Sequence, residues 1–138
     1  PPLKGGDIPE SMKGSVYHPS PDGKDSNLLL CFHGLGDTPL PFVRLWKQMA
    51  LPQTALMSLQ GPFPLLDLGY CWHESFDSQG ELIRPTRGEN RRSKTLCEAV
   101  DQLCEVMDAM VTKAGWEWSQ MFGLGFSQGG CALMALML

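Results

Sequence analysis

The chain has 138 residues, which suits one domain but is short for an α/β fold, since such folds often need about 200 residues to cover both sheet faces. Eleven basic against fifteen acidic side chains give a net charge of -4, which argues against nucleic acid as a partner. The short basic run at residues 91–94 is expected to be the solvated start of a helix rather than a phosphate-binding patch.

Cysteine usage and the lack of long apolar runs bear on the location of the protein. The five cysteines are an odd number, and Cys31, Cys97, Cys104 and Cys131 lie inside apolar stretches rather than in a spaced disulfide framework. The N-terminus has no apolar signal core, and no apolar run reaches the length of about 20 residues that spans a bilayer. We therefore expect a cytoplasmic protein without stable membrane insertion, provided that no targeting segment precedes this sequence.

The first predicted strand covers residues 27–32, a continuous apolar run that follows a turn-rich opening. A turn with two glycines, residues 33–38, comes directly after it. Residues 41–50 are then predicted to form a helix with a proline in its first turn. The apolar residues with helical spacing are Phe42, Leu45, Trp46 and Met49.

A second strand is predicted at residues 54–59 and is followed by a long irregular stretch, residues 62–89, of the kind that is usually functional or mobile. An amphipathic helix then ends near Gly115. Its apolar positions are Leu96, Val100, Leu103, Met107 and Met110. The last strand, residues 121–126, runs into Ser127. Alternating strands and helices without repeats or linkers predict one α/β domain with a mostly parallel sheet and flanking helices.

Ser127 lies in a G-x-S-x-G motif between an apolar strand and a helix, which is the position where this motif presents a nucleophile. The motif reads Gly125-Phe126-Ser127-Gln128-Gly129. At such a sharp turn the flanking glycines let strand and helix approach each other, and the helix start favours a developing oxyanion. Two other interpretations stay open. One is a dinucleotide-binding turn, whose fingerprint fails by one residue at Gln128, and the other is a turn without chemistry.

A second motif, His33-Gly34-Leu35-Gly36-Asp37-Thr38, follows the first buried strand. A main-chain N–H in this turn, that of Leu35, can join the N–H of Gln128 in an oxyanion hole. The glycines on both sides of Leu35 let the backbone turn that N–H towards Ser127. The alternative is that they only form a tight turn.

Together the two motifs resemble the phospholipase/carboxylesterase family of α/β-hydrolases, which includes acyl-protein thioesterases and lysophospholipases. The resemblance implies an α/β-hydrolase fold, attack by Ser127 on an acyl ester or thioester, and oxyanion donors at Leu35 and Gln128. Residues 72–77 loosely resemble the family's tryptophan-containing loop. Leu68 and Trp72 are therefore candidates for lining an acyl groove, although either could instead anchor the loop in the core.

The triad acid and base are expected after the nucleophile, yet none of the eleven residues that follow Ser127 is acidic or a histidine. His33 is interpreted as a structural hydrogen-bonding residue, and His73 lies in a loop. We therefore expect the acid and base beyond residue 138 and little esterase activity from this chain alone. Residues 129–138 carry no charge, which predicts a helix buried on nearly all sides and covered either by further chain or by a partner.

The predicted function is that of a serine esterase or thioesterase that forms an acyl-enzyme on Ser127 and needs no metal or cofactor. The alternative is a non-catalytic binding module with the same fold. A cysteine hydrolase is disfavoured, because Cys131 lies one turn into the helix. The acyl substrate and the oligomeric state are not specified by the sequence.

Overall fold

A computed structural model describes residue 3 and residues 5–138. Its centre is a four-stranded sheet in the order β1-β3-β2-β6, in which β1 runs antiparallel to β3 and the other neighbours are parallel. The strands are β1 (Val16–His18), β2 (Asn27–Phe32), β3 (Thr54–Leu59) and β6 (Met121–Gly125). The prediction of a mostly parallel sheet is confirmed.

The two central strands are apolar because both of their faces are covered. Along β2, Leu28 and Leu30 point into one cluster, whereas Leu29 and Cys31 point into the other. Strand β3 alternates in the same way and is buried along its whole length. A continuous apolar run is thus what a strand between two helical layers requires.

Three helices form the two outer layers: α1 (Leu40–Met49), α2 (Arg91–Thr112) and α3 (Gln128–Met137). Helix α1 packs on the Leu29 face through Val43 and Trp46, and the Trp46 indole donates a hydrogen bond to the Thr54 carbonyl at 3.1 Å. Helices α2 and α3 cover the opposite face, so the sheet lies between two helical layers.

The long segment between β3 and α2 contains a small hairpin, β4 (Phe63–Pro64) with β5 (Tyr70–Cys71). Isolated bridges join Asp37 to Tyr70 and Phe76 to Leu82. The hairpin contacts the turn after β2, since the Gly36 N–H donates to the Tyr70 carbonyl at 2.9 Å. The first third of the predicted irregular segment is therefore held against that turn.

Two details of the sequence prediction are wrong. Strand β1 was not predicted, because three half-buried residues give too short an alternation to recognise. Within α1, Leu45 and Met49 are exposed, and Val43 occupies the buried face instead. That further chain or a partner covers α3 stays a prediction, since Met134 is 68% exposed and Met137 is 79% exposed in this chain. In the part of the chain that the structure describes, nothing packs on that face of α3.

The basic run at Arg91 forms the first turn of α2, as predicted. In the described part of the chain, no helix has both the length and the apolar character needed to cross a bilayer.

The packing of α2 on the sheet can be tested at Leu103, whose side chain is fully buried. Leu103→Ala is expected to lower the free energy of unfolding by about 2–5 kcal/mol, because it leaves a cavity under the helix. Leu45→Ala on α1 is the matched control, and its 40% exposed side chain should cost less than about 1 kcal/mol. Urea unfolding measures both, and equal losses would contradict the assignment of the core.

Candidate active site

Ser127 occupies a sharp bend between β6, which ends at Gly125, and α3, which begins at Gln128. Its backbone has φ 52° and ψ -119°, a conformation that costs a residue with a side chain about 1–3 kcal/mol. The residue is exposed, and among the described residues its hydroxyl forms no capping hydrogen bond to α3. The bend thus points an unengaged hydroxyl outward at the start of a helix.

The bend is possible only because small residues flank Ser127. A Cβ on Gly129 would lie 2.1 Å from the Phe32 carbonyl oxygen, and one on Gly125 would lie 2.7 Å from the Cα of Gly130. Both distances are below any real contact, so strand and helix meet with no room for side chains. The first turn of α3 therefore rests directly on the end of β2.

Two main-chain N–H groups near Ser127 have no acceptor in the part of the chain that the structure describes. They are those of Leu35, in the turn after β2, and of Gln128, in the first turn of α3. The turn and the bend touch, because a Cβ on Gly34 would lie 3.1 Å from the Phe126 ring. Both predicted oxyanion donors thus belong to segments in contact, each with a free N–H.

His33 is a structural hydrogen-bonding residue, as predicted. Its ring is fully buried, with Nδ1 2.7 Å from the Gly34 carbonyl oxygen and Nε2 accepting from the Gly61 N–H at 2.9 Å. These partners define a neutral ring with the proton on Nδ1. Burial lowers the pKa of His33, so the ring stays neutral where a free histidine is charged. Both nitrogens are occupied, which leaves no site for a proton from Ser127.

The Gln128 side chain, which the sequence analysis did not consider, joins the bend to the loop that follows β5. Its Oε1 accepts from the Trp72 main-chain N–H at 2.6 Å, and its Nε2 donates to Ser75 Oγ at 2.8 Å and to the His73 carbonyl at 3.3 Å. A polar residue at the start of an otherwise apolar helix was the available signal. Such a buried amide needs partners on every polar atom.

The prediction that Trp72 lines an acyl groove is wrong. Its side chain has no exposed surface, packs against the Phe32 and His33 rings, and donates from Nε1 to the His33 carbonyl at 2.8 Å. Trp72 instead anchors the loop beneath the turn that carries Leu35. Leu68 is 66% exposed, and its carbonyl oxygen lies 3.1 Å from the Cβ position of Gly36. It is therefore placed beside the same turn.

His73 lies in the loop that the Gln128 side chain holds. Its side chain is buried, with Nδ1 2.9 Å from the Glu74 carbonyl oxygen. Burial lowers the pKa of His73 as well, with a smaller lowering effect from the charge of Arg92. Within the described residues no hydrogen bond joins either buried histidine to Ser127.

Comparisons with known proteins match this chain to hydrolases. The family model described as Phospholipase/Carboxylesterase matches residues 18–138. An uncharacterised hydrolase of Mycosarcoma maydis is 33% identical over 92% of this chain and 47% of its own length. An uncharacterised hydrolase of Schizosaccharomyces pombe is 32% identical over 83% of this chain and 47% of its own length. The chain thus spans about half the length of the curated relatives it matches.

Solved structures show the same fold. A carboxylesterase from Mesorhizobium loti superimposes with a TM-score of 0.64 at 22% identity, over 83% of this chain and 49% of that one. At that identity the likeness concerns the fold alone, which is the α/β-hydrolase fold predicted from the sequence.

The contact between α3 and β2 is tested by Gly129→Ala. The added Cβ would overlap the Phe32 carbonyl oxygen, so we expect a loss of about 3 kcal/mol or more in the free energy of unfolding. Gly130→Ala is the matched control, because its Cβ would meet only an ordinary contact at 3.5 Å. Alanine in a helix should even stabilise the control by about 0.5–1 kcal/mol. Similar thermal unfolding of both variants would contradict the close approach.

The buried histidines predict how stability depends on pH. Because burial lowers the pKa of His33 and His73 in the folded state, only the unfolded chain takes up these protons as the pH falls below about 6.5. The free energy of unfolding should therefore decrease from about pH 7.5 to about pH 5.5, through the range where free histidine titrates. Urea unfolding at several pH values measures this, and a flat profile would contradict it.

Proposed function

Because this chain belongs to the phospholipase/carboxylesterase family of hydrolases, we propose that Ser127 is the nucleophile of a serine hydrolase that cleaves carboxylic esters or thioesters. The observation that carries the proposal is the exposed Ser127 hydroxyl, held in a strained bend beside two unused N–H groups. Backbone strain of this kind persists where function requires the side chain at that point.

The proposed reaction begins with attack of Ser127 Oγ on the acyl carbonyl carbon. The carbonyl oxygen becomes an oxyanion, which accepts hydrogen bonds from the Leu35 and Gln128 N–H groups, and each such donor stabilises the transition state by about 3–4 kcal/mol. Expulsion of the alcohol or thiol leaves an acyl-enzyme on Ser127. Water then attacks that ester and releases the carboxylic acid.

We place the acid and base of the triad outside these 138 residues. His33 uses both ring nitrogens, and His73 is bonded to the Glu74 carbonyl. Without a base a serine hydroxyl is a poor nucleophile, and loss of a triad member lowers turnover by up to about 10⁶-fold. The chain by itself is therefore expected to show an oxyanion site with little turnover.

The acyl chains we propose are of modest to long length, and they would lie along exposed leucines of the hairpin loop. Leu66 is 94% exposed and Leu68 is 66% exposed, and Leu68 lies beside the turn that carries Leu35. Lipid esters and acylated proteins both supply such chains.

The five cysteines are free thiols, which supports a reducing, cytoplasmic setting.

The role of Ser127 is tested by supplying the missing base. The pure chain should hydrolyse p-nitrophenyl butyrate slowly and without a burst, and added imidazole should raise the rate by acting as a diffusible general base. After subtraction of the rate at which imidazole alone hydrolyses the ester, the gain should vanish in Ser127→Ala. Ser119→Ala, an exposed serine outside the site, is the matched control and should behave like the unchanged chain.

Peptide mass spectrometry should then find a butyryl group on Ser127 in the imidazole reaction. A rapid burst without imidazole would contradict the missing base. Equal rates for the unchanged chain and Ser127→Ala, with no adduct, would favour the non-catalytic binding module instead.

A further inference from the structure

Two cavities open side by side next to the turn that carries Leu35. The first, of about 550 Å³, is lined by Leu35, Ser75 and residues 81–85 together with Arg92. The second, of about 560 Å³, lies between His73 and the start of α2. Pro85 and Arg92 line both cavities, so the two cavities adjoin. We call the two together the arginine groove, after Arg84, Arg87 and Arg92 in their walls.

The charges in the arginine groove are unbalanced. Among the described residues, none of Arg84, Arg87 and Arg92 forms an ion pair, whereas the neighbouring Arg91 is bonded to Glu74 at 2.9 Å. The groove contains two carboxylates, and that of Glu89 already accepts main-chain N–H groups of α2. A chain with a net charge of -4 thus carries an unpaired cationic groove at its candidate active site.

The three arginines are matched to an anionic oxygen group. A guanidinium binds carboxylate or phosphate with two parallel hydrogen bonds. Arg92 is half-buried in the first turn of α2, so its position is fixed by a long helix rather than by a loop. A cavity of this volume is also in the range of small-ligand sites.

We propose that the arginine groove binds an anionic group, carboxylate or phosphate, of the ester that reacts at Ser127. Leu35, Arg84 and Arg92 line the same cavity, so one ligand in that cavity would present a carbonyl to the Leu35 N–H and an anion to Arg84 and Arg92. The proposal rests on the proposed function for the identity of the reacting ester. It adds a preference for acidic over neutral esters.

The test is direct binding to the 138-residue chain, which requires no turnover. Monomethyl glutarate carries an ester and a carboxylate, and dimethyl glutarate is its neutral match. In ¹H–¹⁵N NMR titrations the monoanion should shift the Leu35 amide and the Arg92 Nε–H signals together. The neutral diester should bind about tenfold more weakly or not at all, and added salt should weaken the binding of the monoanion. Glycerol 3-phosphate, titrated in the same way, tells phosphate from carboxylate.

Arg92→Gln and Arg84→Gln should each lower the affinity for monomethyl glutarate several-fold. Arg84 lies in an exposed loop, so this second variant keeps the test valid if the α2 variant is unstable. Arg44→Gln on α1, on the opposite side of the sheet, is the matched control and should bind like the unchanged chain. Equal binding of the diester, or unchanged binding in both groove variants, would overturn the proposal.

The two proposals fail separately. Ser127→Ala should still bind monomethyl glutarate, because the arginine groove does not include Ser127. Anion binding without imidazole-dependent acylation would support the arginine groove and contradict the role of Ser127 as nucleophile. Acylation of Ser127 without anion binding would support the nucleophile and contradict the groove.

Discussion

The contact between the first turn of α3 and the C-terminal end of β2 governs the arrangement of the site. Backbone meets backbone there, and the space at Gly129 is too small for a single methyl group. This contact forces the chain to reverse within one residue at Ser127, and it brings the segment after β2 against the segment after β6. Parallel strands end at one edge of a sheet, and at that edge the segments that follow β2 and β6 are in direct contact.

A buried chain of hydrogen bonds then holds the surrounding segments in place. It runs from the Gln128 side chain to the Trp72 main chain, from the Trp72 indole to His33, and from His33 to Gly61 and Gly34. Polar contacts in a low-dielectric interior are strong when every member has a partner. Bend, loop and turn therefore behave as one unit, and the main-chain N–H groups of Leu35 and Gln128 are held relative to each other.

The features predicted from the sequence are those with local causes. The central strands and α2 are encoded by run length and periodicity, and the bend by glycines within five residues. The features that were missed depend on distant contacts. Trp72 was left as either a groove residue or a loop anchor, because nothing near it in sequence reveals the His33 ring that packs against it. The partners of the Gln128 amide lie more than fifty residues away. The apolar residues of α3 indicate that its surface needs a packing partner. They do not identify the segment that packs on Met134.

The backbone conformation at position 127 determines how a substitution there would change the stability of the fold. Glycine tolerates a positive φ at little cost, so exchanging the serine for glycine would relieve strain and favour the folded state. A scaffold that served only to hold a ligand would gain stability from that exchange and lose nothing. The serine at this position therefore works against the thermodynamic preference of the fold.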